Sequence, residues 1–251
     1  MKKLFLISIV FIYSLTQAQE ALPTISADRP GALTGTDVMP LHKLQWETGA
    51  GYESITDGPR VFTLNNTLLR FGLFENAELR VGTDFLMFNE GQAMEPTFGF
   101  TPLTIGLKAK FYEDSGFLPS VALLAEMQSS RIGSKELLPS FLAPTLHLLF
   151  EHSITDWFGI CYNVGAEWDG ETATPTSFLG FGLYFGITEQ ISSFRETYNY
   201  FHPEKGNEYL TEFGLTWLVS RRMQLDLAAD LDFQNPGKYH AVSGGVAWLI
   251  N

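Results

Sequence analysis

The chain has very few groups that could cross-link it or bind it to nucleic acid. Cys161 is the one cysteine in 251 residues, so no intrachain disulfide framework can form. The 16 Lys and Arg residues against 28 Asp and Glu residues give a formal net charge of −12, which argues against binding to a nucleic-acid backbone. After residue 18 no apolar run reaches the roughly 20 residues that a membrane-spanning helix needs. If the mature chain is embedded in a membrane, it must therefore form a closed β-barrel, in which every backbone group is hydrogen-bonded.

The first 18 residues have the pattern of a secretory signal peptide. Lys2 and Lys3 precede a short apolar stretch, residues 4–15, and Thr16 and Ala18 place small residues before a predicted cleavage site. No cysteine lies at that site, so a lipid anchor is not expected. Residues 1–18 therefore predict export and are excluded from the fold.

An alternation of apolar and polar residues with a period of two begins at residue 44 and recurs to the C-terminus. In residues 68–84, for example, Leu79 and Val81 lie on one face and Glu78 and Arg80 on the other. We count about 12 such strands, most of about 10 to 12 residues, which suits tilted strands that cross a bilayer. The facing of the ninth strand is ambiguous. The pattern predicts an all-β fold, a closed antiparallel up-and-down transmembrane β-barrel over residues 44–251.

The breaks between the strands alternate in length. Those after even-numbered strands are tight, whereas those after odd-numbered strands, such as residues 89–101 and 129–139, are generally longer and more polar. Outer-membrane barrels have short periplasmic turns and long outer loops, and a soluble β-sandwich has no reason to alternate in this way. Four tryptophans fall near the predicted periplasmic rim, where indole rings favour the interface: Trp46, Trp157, Trp217 and Trp248. The predicted location is the outer membrane of a Gram-negative bacterium.

Residues 19–43 lack this alternation and are interpreted as an irregular N-terminal segment. Its notable motif is Asp28-Arg29-Pro30-Gly31. The residue types favour a turn, because proline fixes φ, glycine allows a positive φ and aspartate bonds to nearby backbone. The alternative is that Asp28 and Arg29 contact the lumen or the rim of the barrel. The sequence leaves open whether this segment plugs the lumen.

The apolar face of each strand must point to lipid, which places the charged face in the lumen. The residues predicted to line the lumen are Glu47, Arg70, Glu78, Arg80, Asp84, Lys108, Lys110, Glu126, Glu167, Glu212, Asp226, Asp230 and Asp232. They are interpreted either as a polar channel lining or as ion pairs that fill the interior of a small barrel. Asp226, Asp230 and Asp232 have no basic residue nearby on their own face. These three are predicted to favour cations over anions, unless the N-terminal segment folds inside and brings Arg29 across to them.

Little in the sequence indicates catalysis or a cofactor. His147, Glu151, His152 and Ser153 lie close together, but adjacency in sequence is not the geometry of a catalytic triad. No His or Cys spacing suggests zinc, and no glycine-rich loop precedes a helix. We therefore predict no enzyme activity, no metal and no cofactor, and keep an outer-membrane lipid hydrolase as an alternative.

Five short motifs resemble a known family. In order they are ADRPG at residues 27–31, LQWETG at 44–49, LRFGL at 69–73, ELRVG at 78–82 and QLDL at 224–227. On these motifs most of the mature chain resembles the phenol-degradation meta-pathway family, whose members are often labelled transporters. The resemblance implies an outer-membrane barrel for the passage or binding of small molecules, with hydrophobic or aromatic compounds as the solute class. The last residues, Trp248 to Asn251, depart from the terminal aromatic residue that is common in outer-membrane barrels.

The sequence thus predicts one barrel domain, residues 44–251, behind a signal peptide and an irregular segment. The expected partners are outer-membrane lipid, a small-molecule solute and the barrel-assembly machinery, without nucleic acid. A structural or adhesive surface barrel with a filled lumen is the alternative to a channel.

Overall fold

The computed structural model describes residues 24–89, 95–204 and 206–250, and β-strands account for nearly all of its regular structure. The predicted signal peptide lies outside the described residues. No helix in the described part of the chain has the length and apolar character of a membrane-spanning segment. The strands are β1 (Leu44–Ile55), β2 (Arg60–Phe74), β3 (Ala77–Asn89), β4 (Thr97–Phe100), β5 (Thr104–Tyr112), β6 (Ser120–Gln128), β7 (Ala143–Thr155), β8 (Phe158–Glu167), β9 (Thr176–Gly186), β10 (Ile191–His202), β11 (Gly206–Ser220), β12 (Met223–Asp232) and β13 (Tyr239–Leu249).

The strands form one closed antiparallel sheet. β1 pairs with both β2 and β13, and β2 pairs in turn with β3, so the sheet closes on itself. Twelve strands make up the wall, and the short strand β4 pairs with β3 beyond the point where β3 leaves β5. The predicted closed barrel of 12 antiparallel strands is confirmed. Closure satisfies the backbone hydrogen bonds of every wall strand, which is what a β-structure in a bilayer requires.

Side chains alternate between the interior and the exterior of the barrel along each strand. On β12 the exposed fraction is 62% for Leu227 and 36% for Leu231, but 8% for Asp226 and 3% for Ala228. Large apolar side chains lie exposed on the outside of most strands. An exterior of this kind is suited to contact with lipid and not with water.

The two ends of the barrel differ. At one end most strands are joined by tight turns, such as residues 75–76 and 221–222, and at the other end most are joined by longer segments, such as residues 129–142. Because outer-membrane barrels keep their short turns in the periplasm, we call the first the periplasmic end and the second the outer end. Trp46 pairs with Trp248 at the periplasmic end, where interfacial indole rings are favoured.

Strand β10 partly exchanges its polar and apolar faces. Phe194 and Tyr198 are buried on its interior face, whereas Arg195 is exposed on the exterior. The guanidinium carbon of Arg195 lies 5.3 Å from the centre of the Phe213 ring, whose quadrupole attracts the positive charge. This exchange explains why the facing of the predicted ninth strand could not be read from its sequence.

Substitution of Leu227 by arginine should destabilise the barrel far more than the same substitution of Leu231. Both residues face outward on β12, but Leu227 lies mid-strand and Leu231 lies near the outer end. An arginine on the lipid face costs roughly 2–4 kcal/mol at the bilayer midplane and about 0–1 kcal/mol near the interface. The measurement is the urea unfolding midpoint of each variant in phospholipid vesicles. Equal losses would mean that β12 does not cross a membrane at this depth.

Candidate functional site

The N-terminal segment folds into the interior of the barrel. The N–H group of Ile25 donates to the carbonyl oxygen of Arg221 in a periplasmic turn at 2.8 Å, and Leu41 forms a β-bridge with Gly72 near the same end. Between these two points the chain rises into the lumen and returns. We call residues 25–40 the plug, and both of its ends lie at the periplasmic end of the barrel.

The backbone of the plug is irregular, and the barrel wall supplies acceptors for its N–H groups. A buried N–H group without an acceptor would be costly. The bonds are 2.7–3.2 Å long, and the acceptors are Glu47 for Asp28 and Arg29, Glu196 for Ala32 and Leu33, Glu212 for Ala32, Asn163 for Thr34, Glu151 for Thr36 and Glu78 for Met39. These six side chains come from six different strands. The plug is therefore fastened to several sides of the wall.

Three cations of the wall surround the carboxylate of Asp28. They are Arg70 on β2, Arg80 on β3 and Lys108 on β5, and we call them the basic pocket. Lys108 Nζ lies 3.0 and 2.9 Å from the two Asp28 oxygens, Arg70 Nη1 lies 3.5 Å from one of them, and Arg80 Nη1 bonds to the same oxygen. The side chains of the three cations are at most 7% exposed. Asp28 is thus bound at a site that is largely removed from water.

The basic pocket stabilises the charged form of Asp28. Burial alone would raise the pKa of this carboxyl group, but the positive charges of Arg70, Lys108 and Arg80 outweigh that effect and hold the pKa well below its usual range. Asp28 is therefore ionised at neutral pH. Because the pKa is lower in the docked plug than in a free chain, its contribution to docking is present at neutral pH and is lost only in acid.

Further round the wall, Arg29 binds Asp226 on β12. Its Nε and Nη2 atoms donate to the two Asp226 oxygens at 3.0 Å each, and its Nη1 atom donates to Asn66 at 3.0 Å. Gly49 and Gly245 make room for this side chain, because a Cβ atom there would lie 2.3 and 2.4 Å from Arg29 Nη2. Asp226 has no basic residue beside it on its own face of the sheet, and its partner comes from the N-terminal segment.

The motif at Asp28, Arg29, Pro30 and Gly31 forms the tip of the plug, inside the lumen of the barrel. The sequence favours a turn here, but the structure has the alternative, in which Asp28 and Arg29 contact the wall. The Arg29–Pro30 peptide bond is cis, and Gly31 has a φ of 113°, a left-handed conformation that favours glycine. A Cβ atom on Gly31 would also lie 2.9 Å from Glu196 Oε1. Glycine is therefore needed both for the backbone angle and for the close approach to the wall.

Two other residues predicted for the lumen lie on the same side as the basic pocket. Glu126 accepts from Arg80 Nε at 2.8 Å and so orients one of the three cations. Lys110 lies nearer the periplasmic end, where it donates to Asp37 of the plug at 3.0 Å and to Glu113 at 2.8 Å. The Asp37 side chain is 54% exposed, so this ion pair contributes far less than the buried ones.

The remaining predicted residues lie toward the outer end. Glu167 Oε1 is 3.0 Å from His147 Nε2, and Asp230 accepts a hydrogen bond from the Tyr198 hydroxyl at 2.5 Å. Asp232 ends β12 and accepts two backbone N–H groups of the following turn at 2.8 Å. The acids that the sequence places in one row thus have separate environments, because the plug, strand β10 and a turn each supply a partner.

Two cavities lie on either side of the plug. The cavity on the outer side of the plug, which we call the outer cavity, has a volume of about 440 Å³. The cavity on the periplasmic side has a volume of about 380 Å³. Asp28, Arg29 and Pro30 line both cavities, so this part of the plug separates them. The outer cavity is also lined by acids that form no ion pair within the described ranges, Glu53, Asp84, Glu212 and Asp230.

Three residues that hold the plug were not identified as site residues from the sequence. Glu196 lies on β10, where the exchanged faces conceal it, and Asn163 and Glu151 lie at interior positions of β8 and β7. The available signal was the alternation itself, which places Asn163 and Glu151 on the inner face. What the alternation cannot indicate is that a distant segment would use them as acceptors.

The residues considered for lipid hydrolysis do not form a catalytic group. The His152 ring packs against the ring of Tyr162 with a centroid separation of 6.0 Å. Successive strand residues point to opposite faces, so His152 and Ser153 point away from each other. Among residues 24–89, 95–204 and 206–250, no group of three or more His, Cys, Asp or Glu side chains is arranged to hold a metal ion.

Comparison with known proteins gives both a family and a fold. The family model described as "Putative MetA-pathway of phenol degradation" matches residues 27–250. An outer membrane channel from Pseudomonas putida F1 is similar with a TM-score of 0.68 and 11% identity, over 88% of this chain and 99% of that chain. The KdgM porin (TM-score 0.58, 10% identity, 82% and 99%) and the NanC porin (TM-score 0.54, 10% identity, 81% and 98%) are also similar. No curated protein sequence matches the chain. At these identities the structural matches establish a shared barrel fold.

Proposed function

The chain belongs to the family described as "Putative MetA-pathway of phenol degradation", and from its closed barrel and the cavities in its lumen we propose that it is a channel for small molecules in the outer membrane of a Gram-negative bacterium. In this proposal the plug closes the lumen and must move before a solute can pass. The proposal gives the chain no catalytic role.

The observation that carries this proposal is the pair of cavities separated by the tip of the plug. Each cavity lies on one side of Asp28, Arg29 and Pro30, and each has a volume of several hundred Å³. Pockets of about 300–1,000 Å³ are typical for small-molecule ligands. Displacement of the plug would join the two cavities into one path from the outer end to the periplasmic end.

The class of solute follows from the family and from the lining of the outer cavity. Tyr198 and Tyr239 line that cavity beside its acidic residues. Aromatic rings pack favourably against other rings, and tyrosine adds a polar group at the edge. We therefore propose that the solutes are small aromatic compounds.

A structural barrel with a permanently filled lumen is the second candidate. The buried contacts of Asp28 and Arg29 favour it, because a plug that is held this firmly could also serve as a core. The two candidates differ in one testable respect: a channel plug undocks, and a core does not.

Locking the plug with a disulfide bond should abolish conductance. The Sγ atom of Cys161 lies 3.7 Å from the carbonyl oxygen of Thr34 in the plug, so Thr34→Cys introduces a second thiol on a plug residue whose backbone contacts the native one. In planar bilayers the oxidised variant should show no conductance steps, and dithiothreitol should restore them. Formation of the bond is checked by mass spectrometry.

The matched control is Thr34→Cys combined with Cys161→Ser, which cannot form the bond. Its conductance should change neither on oxidation nor on addition of dithiothreitol. If the locked variant conducts as well as the reduced one, plug movement does not control passage. If neither state conducts or takes up solutes in vesicle assays, the filled structural barrel is the better description.

A further inference from the structure

We propose that the basic pocket is a carboxylate-binding site of the barrel wall, which Asp28 occupies when the plug is docked. The carboxylate of a small solute would take the same place when the plug leaves. This inference rests on the proposed function, because the solute must enter the lumen. The solute would therefore be a monocarboxylate.

The wall itself positions the two arginines of the pocket. Arg70 donates to Glu78 through Nε and Nη2 at 2.9 and 3.0 Å and to Glu47 through Nη1 at 3.0 Å. Arg80 is held in the same way by Glu126, at 2.8 Å. These partners all belong to the strands and not to the plug. The two guanidinium groups therefore keep their places when Asp28 is absent.

Lys108 is the residue that most needs an anion. Every hydrogen bond that the structure gives its ammonium group goes to the plug, two to the Asp28 carboxylate and one to the carbonyl oxygen of Gly35 at 3.1 Å. The nearest wall carboxylate, Glu78, is 3.7 Å away, and the Lys108 side chain is completely buried. A buried ammonium group without an acceptor is unfavourable. Undocking of the plug therefore leaves a vacant position for a carboxylate beside Lys108.

A solute can reach this position from the outer cavity. Asp28 and Arg80 both line the cavity of about 440 Å³, so the Asp28 carboxylate lies at its inner boundary. The lowered pKa of Asp28 is consistent with a site that stabilises a carboxylate as an anion.

The acidic residues elsewhere on the lining of the outer cavity limit the charge that a ligand can carry. The cavity also contains Glu53, Asp84 and Asp230. These groups would repel a ligand with several negative charges. They leave room for a single carboxylate on an uncharged body, with the carboxylate directed toward Arg80 and Lys108.

Replacing Asp28 by alanine should create measurable affinity for benzoate. In the wild type Asp28 competes for the site, so the apparent affinity is reduced by the fraction of protein in which the site is free. We expect the Asp28→Ala protein, purified at full length in detergent micelles, to bind benzoate at least about tenfold more tightly than the wild type. The readout is calorimetric titration, supported by the rise in unfolding temperature with benzoate concentration. Sodium chloride replaces sodium benzoate in the reference at equal ionic strength.

Two ligands and two variants make the test specific. Benzyl alcohol has the ring without the charge and should not bind to Asp28→Ala, and the dianion phthalate should bind more weakly than benzoate. Asp37→Ala removes an exposed carboxylate of the plug and should gain no affinity. Adding Lys108→Met to Asp28→Ala should abolish the gain in affinity for benzoate.

The proposal is overturned if Asp28→Ala binds benzoate no better than benzyl alcohol, or if Asp37→Ala gains as much affinity. If Asp28→Ala folds poorly, its folding yield with and without benzoate supplies the same comparison, and an equal yield with benzyl alcohol counts against the site. Because binding is measured in detergent, the result does not depend on conductance. A protein that binds benzoate but never conducts would refute the proposed channel and leave the carboxylate site intact.

Discussion

Replacing both Asp28 and Arg29 by alanine should convert a mostly closed barrel into one that is open most of the time. The double variant removes the plug's buried ion pairs with the basic pocket and with Asp226. Removal of one partner from a buried pair costs about 3–5 kcal/mol, and about 1.4 kcal/mol corresponds to a tenfold change in an equilibrium. Loss of one anchor alone should therefore raise the ratio of open to closed protein by roughly 10²–10⁴.

The measurement is the open fraction of single channels in a planar bilayer, compared with the wild type at the same voltage and salt concentration. Asp37→Ala is the matched control, because it removes a plug carboxylate whose side chain is 54% exposed. Its open fraction should stay close to that of the wild type. A double variant that remains as closed as the wild type would show that the backbone contacts alone hold the plug.

Substitution of Arg70 by methionine should destabilise the whole barrel. The Arg70 side chain is completely buried, and it joins Glu47 of β1 to Glu78 of β3 across β2. It also donates to the plug carbonyl oxygens of Ser26 at 2.8 Å and Asp37 at 3.0 Å. Methionine would leave two buried carboxylates with fewer partners, and such a loss costs about 3–5 kcal/mol.

The free energy of unfolding in urea, measured in phospholipid vesicles, tests this expectation. Arg60→Met is the control, because Arg60 lies on the same strand at its exposed outer end. A surface substitution of this kind changes stability by about 0.5 kcal/mol or less. If the Arg70 and Arg60 variants unfold at the same urea concentration, the buried network does not stabilise the wall.

The barrel could be predicted from the sequence because its signals are local. The alternation on β12, from Leu225 to Leu231, repeats every two residues and needs no knowledge of the neighbouring strands. The turns are likewise encoded in a few adjacent residues. Strand β10 resisted prediction because its interior must match the plug: Phe194 and Tyr198 are buried there, and Arg195 is displaced to the outside.

The plug could not be predicted because its partners are remote in the chain. The residue types at Asp28, Pro30 and Gly31 favour a turn on local grounds, and the same residues also form the tip of the plug. The neighbours of Asp226 on its own face are not basic, and its partner Arg29 lies 197 positions earlier in the chain. A single sequence carries no local signal for a contact of this separation.

The path of the plug sets an order of events in the maturation of the protein. Residues 25–40 precede every strand in the chain, yet their acceptors and ion-pair partners extend as far as β12. Contacts between residues far apart in sequence form slowly, because the intervening chain must first be arranged. The wall must therefore be almost complete before the segment that was synthesised first can dock. Docking of the plug is therefore among the last steps in the assembly of the barrel.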